Sequence, residues 1–197
     1  MKFKIFGIKV FISFWFAAVI AVMLFCDRSG LVVPTLCLAL LHELAHLAVM
    51  KYYGCAPEKI TLRPGSIEIH NKKLNSFTNE ILILLSGPLL NILLAGGFYL
   101  AFKLNVSKTA VLWSAVSLLL GVYNLLPIRG LDGGSILYAV ICRKYSTTAA
   151  QKALNLCSIV FSVLLIMGSI LTIISGDGNA SLLIFGCYLL ILYAVKR

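Results

Sequence analysis

Apolar residues fall into six long stretches, at roughly 10–26, 31–50, 78–101, 109–127, 154–175 and 181–195, separated by short connections that hold most of the charge. A helix needs about 17–25 predominantly apolar residues to cross a bilayer. Most of the six approach or exceed that length, and the last is short. Two period-two patterns interrupt the apolar runs. Lys2, Phe3, Lys4 and Ile5 alternate ahead of Gly7 and predict a short hairpin within residues 2–13, leading into the first span. Ile60 to Ile69 surrounds Pro64-Gly65, a turn signal, and predicts a second hairpin. The expected fold class is all-α: a polytopic membrane protein of about six transmembrane helices with short β-hairpins on the cytoplasmic side.

Composition narrows the environment further. The 197 residues are 60% hydrophobic and only 12% charged, with a mean hydropathy of +0.99. Soluble domains carry about 25% charged residues, so a water-soluble single core and a peripheral protein are both excluded. The first apolar stretch is long and lacks a small-residue cleavage site, so no cleavable signal peptide is expected. The net charge is +10, and its distribution is informative. Lys2, Lys4, Lys9, then Lys51, Lys59, Arg63, Lys72, Lys73, then Arg129, Arg143, Lys144, Lys152, and finally Lys196 and Arg197 occupy alternate connections. The intervening ones hold only Arg28, Lys103 and Lys108. By the positive-inside rule both termini face the cytoplasm. The charge orients the chain, and a nucleic-acid partner is not expected. Six cysteines (26, 37, 55, 142, 157 and 187) show no C-x-x-C spacing and read as packing residues. Trp15 and Trp113, near span ends, fit interfacial anchoring or core packing.

Candidate chemistry lies inside the second stretch, at His42-Glu43-Leu44-Ala45-His46. A charge at mid-helix costs about 2.5–3.5 kcal/mol to insert, so these residues need a reason. Positions i and i+4 share a helix face, which lets His42 and His46 grip one zinc ion with Glu43 beside it as general base. The span runs outside to inside and ends at Lys51, so at 1.5 Å per residue the pair sits roughly 7–14 Å from the cytoplasmic boundary.

A catalytic zinc site usually has three protein ligands and an open position. Asp27 and Asp177 fall on the outer side. Glu58, Glu68 and His70 lie in the second loop, and Glu80 opens the third span. That leaves Asp132, which follows the helix-breaking Pro127 at the inner end of the fourth span. Asp132 also reads as a helix N-cap for a segment beginning near Ser135, and the two roles are compatible. The third span contains Ser86-Gly87-Pro88-Leu89-Leu90-Asn91. Pro88 frees a carbonyl, Gly87 permits close approach, and Asn91 can hydrogen-bond across the bundle. This is either a kinked packing face or part of the site; Asn91, Asn124, Pro88 and Gly133 are taken as site-lining residues.

Together, His42-Glu43-Leu44-Ala45-His46, Ser86 to Asn91, and Asn124 through Leu131-Asp132-Gly133 resemble the site-2 protease family. With Gly7-Ile8-Lys9-Val10 and the six-span layout, they look most like the branch of the stage IV sporulation protease FB. The resemblance implies an intramembrane zinc metalloendopeptidase that cuts a membrane-tethered protein, such as a transcription factor precursor, within or beside the bilayer. It implies one zinc ion held by His42, His46 and Asp132, with Glu43 activating water and then protonating the leaving amine. The partners implied are that substrate, the lipid bilayer, and membrane proteins that regulate or inhibit. A single metalloprotease domain over 1–197 is expected, with neither a PDZ nor a CBS domain, in a bacterial cell membrane. An exposed hairpin edge near the metal is expected to hold an extended substrate by strand pairing. Two alternatives stay open: a noncatalytic binder of tethered proteins, and a metal ion transporter.

Overall fold

A computed structural model describes residues 2–5, 8–12, 14–27, 30–55, 59–63, 66–70 and 76–174. Its contacts divide the chain into two units, Met1–Asn124 and Leu125–Arg197. In the first unit, strands β1 (Lys2–Ile5) and β2 (Ile8–Ile12) precede helices α1 (Phe14–Cys26) and α2 (Val32–Tyr52). Strands β3 (Lys59–Arg63) and β4 (Ser66–His70) follow, then α3 (Phe77–Lys103) and α4 (Ala110–Asn124). The second unit contributes α5 (Asp132–Lys144) and α6 (Thr147–Ile174).

The four strands form one sheet in the order β1-β2-β3-β4. The outer pairs are antiparallel, Lys2 opposite Phe11 and Lys59 opposite His70, while β2 and β3 run parallel with Val10 opposite Ile60. That parallel pairing joins segments separated by two helices, so no local pattern in the chain announces it. The turn residues Pro64 and Gly65 lie outside the described residues.

Among the described residues, three helices are long and apolar enough to cross a membrane: Val32–Tyr52, Phe77–Lys103 and Thr147–Leu171. The first expected stretch differs, because residues 8–12 pair as a strand and the helix begins only at Phe14, leaving 13 residues. The fourth gives a 15-residue helix, and the sixth, 181–195, lies outside the described residues. α6 begins seven residues before its expected start because Ser146 Oγ accepts the Ala149 N–H at 3.2 Å, an N-cap that lengthens the helix into the loop. α5 begins at Asp132, ahead of the helical segment that the sequence offers from near Ser135.

Specific residues set the helix ends. Asp27 accepts the N–H groups of Gly30 and Val32 through its two carboxylate oxygens, at 3.0 Å each, and shapes the turn into α2. α2 stops at Gly54, whose φ of +69° suits glycine. Its N–H reaches Lys51 O while Cys55 N–H reaches Met50 O, the paired bonds of a Schellman motif. Asn105, at φ +57°, closes α3 in the same way, with bonds to Phe102 O and from Val106 N–H to Ala101 O.

α3 packs against both α2 and α4. Its seam with α4 is made of small residues. Ser114 Oγ donates to Ala95 O and Ser117 Oγ to Asn91 O, both at 2.8 Å. One turn further along, a Cβ on Gly121 would come within 3.0 Å of Pro88 O and 3.3 Å of Asn91 Cβ. Without a hydrophobic drive between helices in lipid, close approach and such bonds hold the pair together. The exposed side chains of these helices are largely apolar, Leu40, Leu93, Leu119 and Leu171 among them, as lipid contact requires. Cys26 and Cys37 are exposed too, so these two do not pack in a core; Cys55 is buried.

Candidate metal centre

Along α2 the buried residues are Leu38, His42, His46 and Met50, every fourth position, so both imidazoles face inward. His42 and His46 are 4% and 5% exposed. Their Nε2 atoms approach to 3.2 Å, with the rings nearly perpendicular at 82°. Glu43, the next residue round the helix, is half-buried.

α3 supplies what surrounds the pair. His46 Nδ1 lies 2.7 Å from Ile83 O, which also accepts the Ser86 hydroxyl at 2.6 Å. An Nδ1–H donated to this carbonyl leaves the Nε2 lone pair of His46 available. The freed carbonyl expected from Pro88 would be that of Leu84, four residues back; the one that meets the histidine is its neighbour. Asn91, fully buried, places Nδ2 at 3.1 Å from His42 Nδ1. Gly87 lies directly against the two imidazoles. A Cβ there would stand 2.5 Å from His46 Nε2 and 2.6 Å from His42 Nε2.

This donor set fits zinc. Two Zn–N bonds of 2.0–2.1 Å at a tetrahedral angle hold the nitrogens about 3.3 Å apart, close to the 3.2 Å observed. The space beside both Nε2 atoms is kept clear because position 87 has no side chain. His46 Nδ1 has the carbonyl acceptor that a metal-bound histidine requires, and His42 Nδ1 faces the Asn91 amide.

Asp132 belongs to the second unit, where it is the first residue of α5. The N-cap position is Leu131, with extended backbone and no side-chain cap bond, and the helix starts three residues before Ser135. The N-cap reading of Asp132 is corrected accordingly, although a carboxylate in the first turn still suits the helix dipole. The segment before it is tightly held: Arg129 N–H donates to Ser158 Oγ at 2.9 Å, Ile128 is buried, and Gly130 takes φ +96°. Gly133 and Gly134 let the head of α5 press on the carbonyls of Leu125 and Ile128, where any Cβ would collide. Gly133 thus has a backbone-packing part. Asn124 donates its amide to Leu120 O, 3.0 Å away at the end of its own helix, and Pro88 is buried between α3 and α4.

The structure brings together His42, His46 and Asn91, and Ser86 of the same segment joins them through Ile83 O. The Ile83 carbonyl has no residue signature in the sequence, and neither has the closeness with which Gly87 faces the two Nε2 atoms.

Comparison with known proteins agrees with this chemistry. Residues 101–167 match the model of peptidase family M50. A zinc metalloprotease of Methanocaldococcus jannaschii is 32% identical over 171 residues, 83% of this chain and 47% of that one. Stage IV sporulation protein FB of Bacillus subtilis is 27% identical over 134 residues, 66% of this chain and 46% of that one. The chain spans about half the length of the curated relatives it matches. Among solved structures, a site-2 protease from Methanocaldococcus jannaschii superposes with a TM-score of 0.71 at 25% identity, covering 96% of this chain and 91% of that one.

Proposed function

This chain belongs to peptidase family M50, the family of the site-2 proteases, and on that premise we propose that it is an intramembrane zinc metalloendopeptidase that cuts a membrane-tethered protein within or next to the bilayer. The observation that carries the reading is the convergence of two buried Nε2 atoms, 3.2 Å apart, on a glycine. His42 and His46 are the first two ligands, and Asp132 at the head of α5 is the third; the Leu131-Asp132-Gly133 motif supports that assignment. Zinc, once bound, lowers the pKa of water to about 7 and polarises a scissile carbonyl. Glu43 takes a proton from the attacking water and returns it to the leaving amine. The buried surroundings of the histidines exclude bulk water.

In this reading the chain crosses a bacterial membrane about six times with both termini in the cytoplasm, supported by the alternation of Lys and Arg along the connections. α1 and α4 then cross as shorter helices. The sheet lies on the cytoplasmic side, and its edge strand β4 holds an unwound substrate segment by main-chain pairing. Regulatory or inhibitory membrane proteins are further partners.

The test is zinc content of the detergent-purified protein alongside release of single-span reporters co-expressed with it. About one zinc per chain is expected in wild type and Glu43→Gln, and little in Asp132→Ala. Reporter release is expected from wild type only. Equal behaviour of wild type and Glu43→Gln towards the reporters would instead mark a noncatalytic binder, and zinc flux into vesicles would mark a transporter.

A further inference from the structure

Asn91, on α3, is fully enclosed: its exposure is 0%. Its main-chain carbonyl accepts the Ser117 hydroxyl at 2.8 Å, fixing the residue to α4, while its side chain turns the other way to His42. The hydrogen bonds around the pair run in one direction. Asn91 Nδ2–H points to His42 Nδ1, His42 Nε2 faces His46 Nε2, and His46 Nδ1 points to Ile83 O. In that order the His42 proton sits on Nε2, between the two rings, where a shared metal must bind. Zinc ligation through both Nε2 atoms requires the other tautomer, with the His42 proton on Nδ1. An amide nitrogen cannot accept that proton, whereas the amide oxygen can. Asn91 Oδ1 is buried without a hydrogen-bond partner, so turning the amide over gives up no existing bond of the oxygen, and the amide keeps its shape.

We propose that Asn91 is the positioning residue for His42: when the pair holds zinc, Asn91 Oδ1 accepts the Nδ1–H of His42 and thereby directs its Nε2 lone pair at the metal. The inference rests on the zinc-centre reading above. It makes the two ligands unequal, His46 being oriented by a fixed main-chain carbonyl and His42 by a side chain with two orientations. The acceptor at position 91 therefore governs metal affinity, and an acceptor-only replacement serves as well as the amide.

The experiment measures zinc affinity of the full chain in detergent by chelator competition, with the cobalt(II) visible spectrum as a second readout, in wild type, Asn91→Leu, Asn91→Ala and Asn91→Asp. Losing a partner of this kind costs about 10–100-fold in metal affinity. That loss, with a changed cobalt spectrum, is expected in Asn91→Leu and Asn91→Ala. Asn91→Asp, which keeps an acceptor and has no donor, is expected to restore affinity and spectrum. Wild-type affinity in the Leu and Ala variants would overturn the inference while leaving the zinc centre intact, as would an Asp variant as weak as they are. Wild-type protein that takes up no zinc would overturn the zinc-centre reading and this inference with it.

Discussion

Gly87 has no side chain, and the His42–His46 pair depends on that. In a helix interior, alanine is normally favoured over glycine by roughly 0.5–1 kcal/mol, so a glycine facing two ligands needs a local reason. The reason is spatial: the Cβ of an alanine would stand within 2.6 Å of both Nε2 atoms. Gly87→Ala is expected to leave helix content by circular dichroism unchanged and to reduce bound zinc, by elemental analysis, from about one per chain to a small fraction. Full zinc occupancy in that variant would contradict the placement of the metal beside residue 87. The same scale explains what the sequence could reveal. Two histidines four apart in an apolar run are conspicuous because the bilayer penalises them. The Ile83 carbonyl that orients His46 has no such signal, since every residue has a carbonyl and only the fold decides which is reachable.

Among the elements, α3 links its neighbours. One face carries Ile83, Ser86, Gly87 and the Asn91 side chain toward α2, while Pro88, the Asn91 carbonyl and Ala95 meet the small residues of α4. The spans of α2 and α3 were legible because long apolar runs with terminal charges leave little choice. α5 was legible only from near Ser135, because Gly133-Gly134 reads as a helix breaker until the neighbouring carbonyls that need the missing side chains are seen. The start of α1 differs for a related reason: Val10 to Ile12 are as apolar as a span, yet the hairpin with β1 and the pairing with β3 hold them in a strand. β4 is an edge, and the N–H groups along one side of an edge strand are open to another chain. Ile67→Pro removes one β4 donor far in sequence from the histidines. It is expected to leave zinc content unchanged and to slow reporter release several-fold; unchanged release would count against strand pairing as the mode of substrate capture.

At the scale of the whole molecule, the orientation proposed above rests on the distribution of basic residues. A periplasmic-active phosphatase fused after Asn105, within the connection holding Lys103 and Lys108, is expected to be active. The same fusion after Tyr145, beside Arg143 and Lys144, is expected to be silent. The reverse pattern would invert the topology and place the histidines near the outer face. The anchoring of both imidazoles to one helix also has a mechanical side. Hydrogen bonds of 2.7 and 3.1 Å tolerate only a few tenths of an ångström, whereas one residue of helix advances 1.5 Å. The two rings therefore gauge the register of α2 against α3. A slip by a single residue, whether from an insertion, an inhibitor wedged between the helices, or a bilayer of different thickness, would disarm the protein without unfolding either helix.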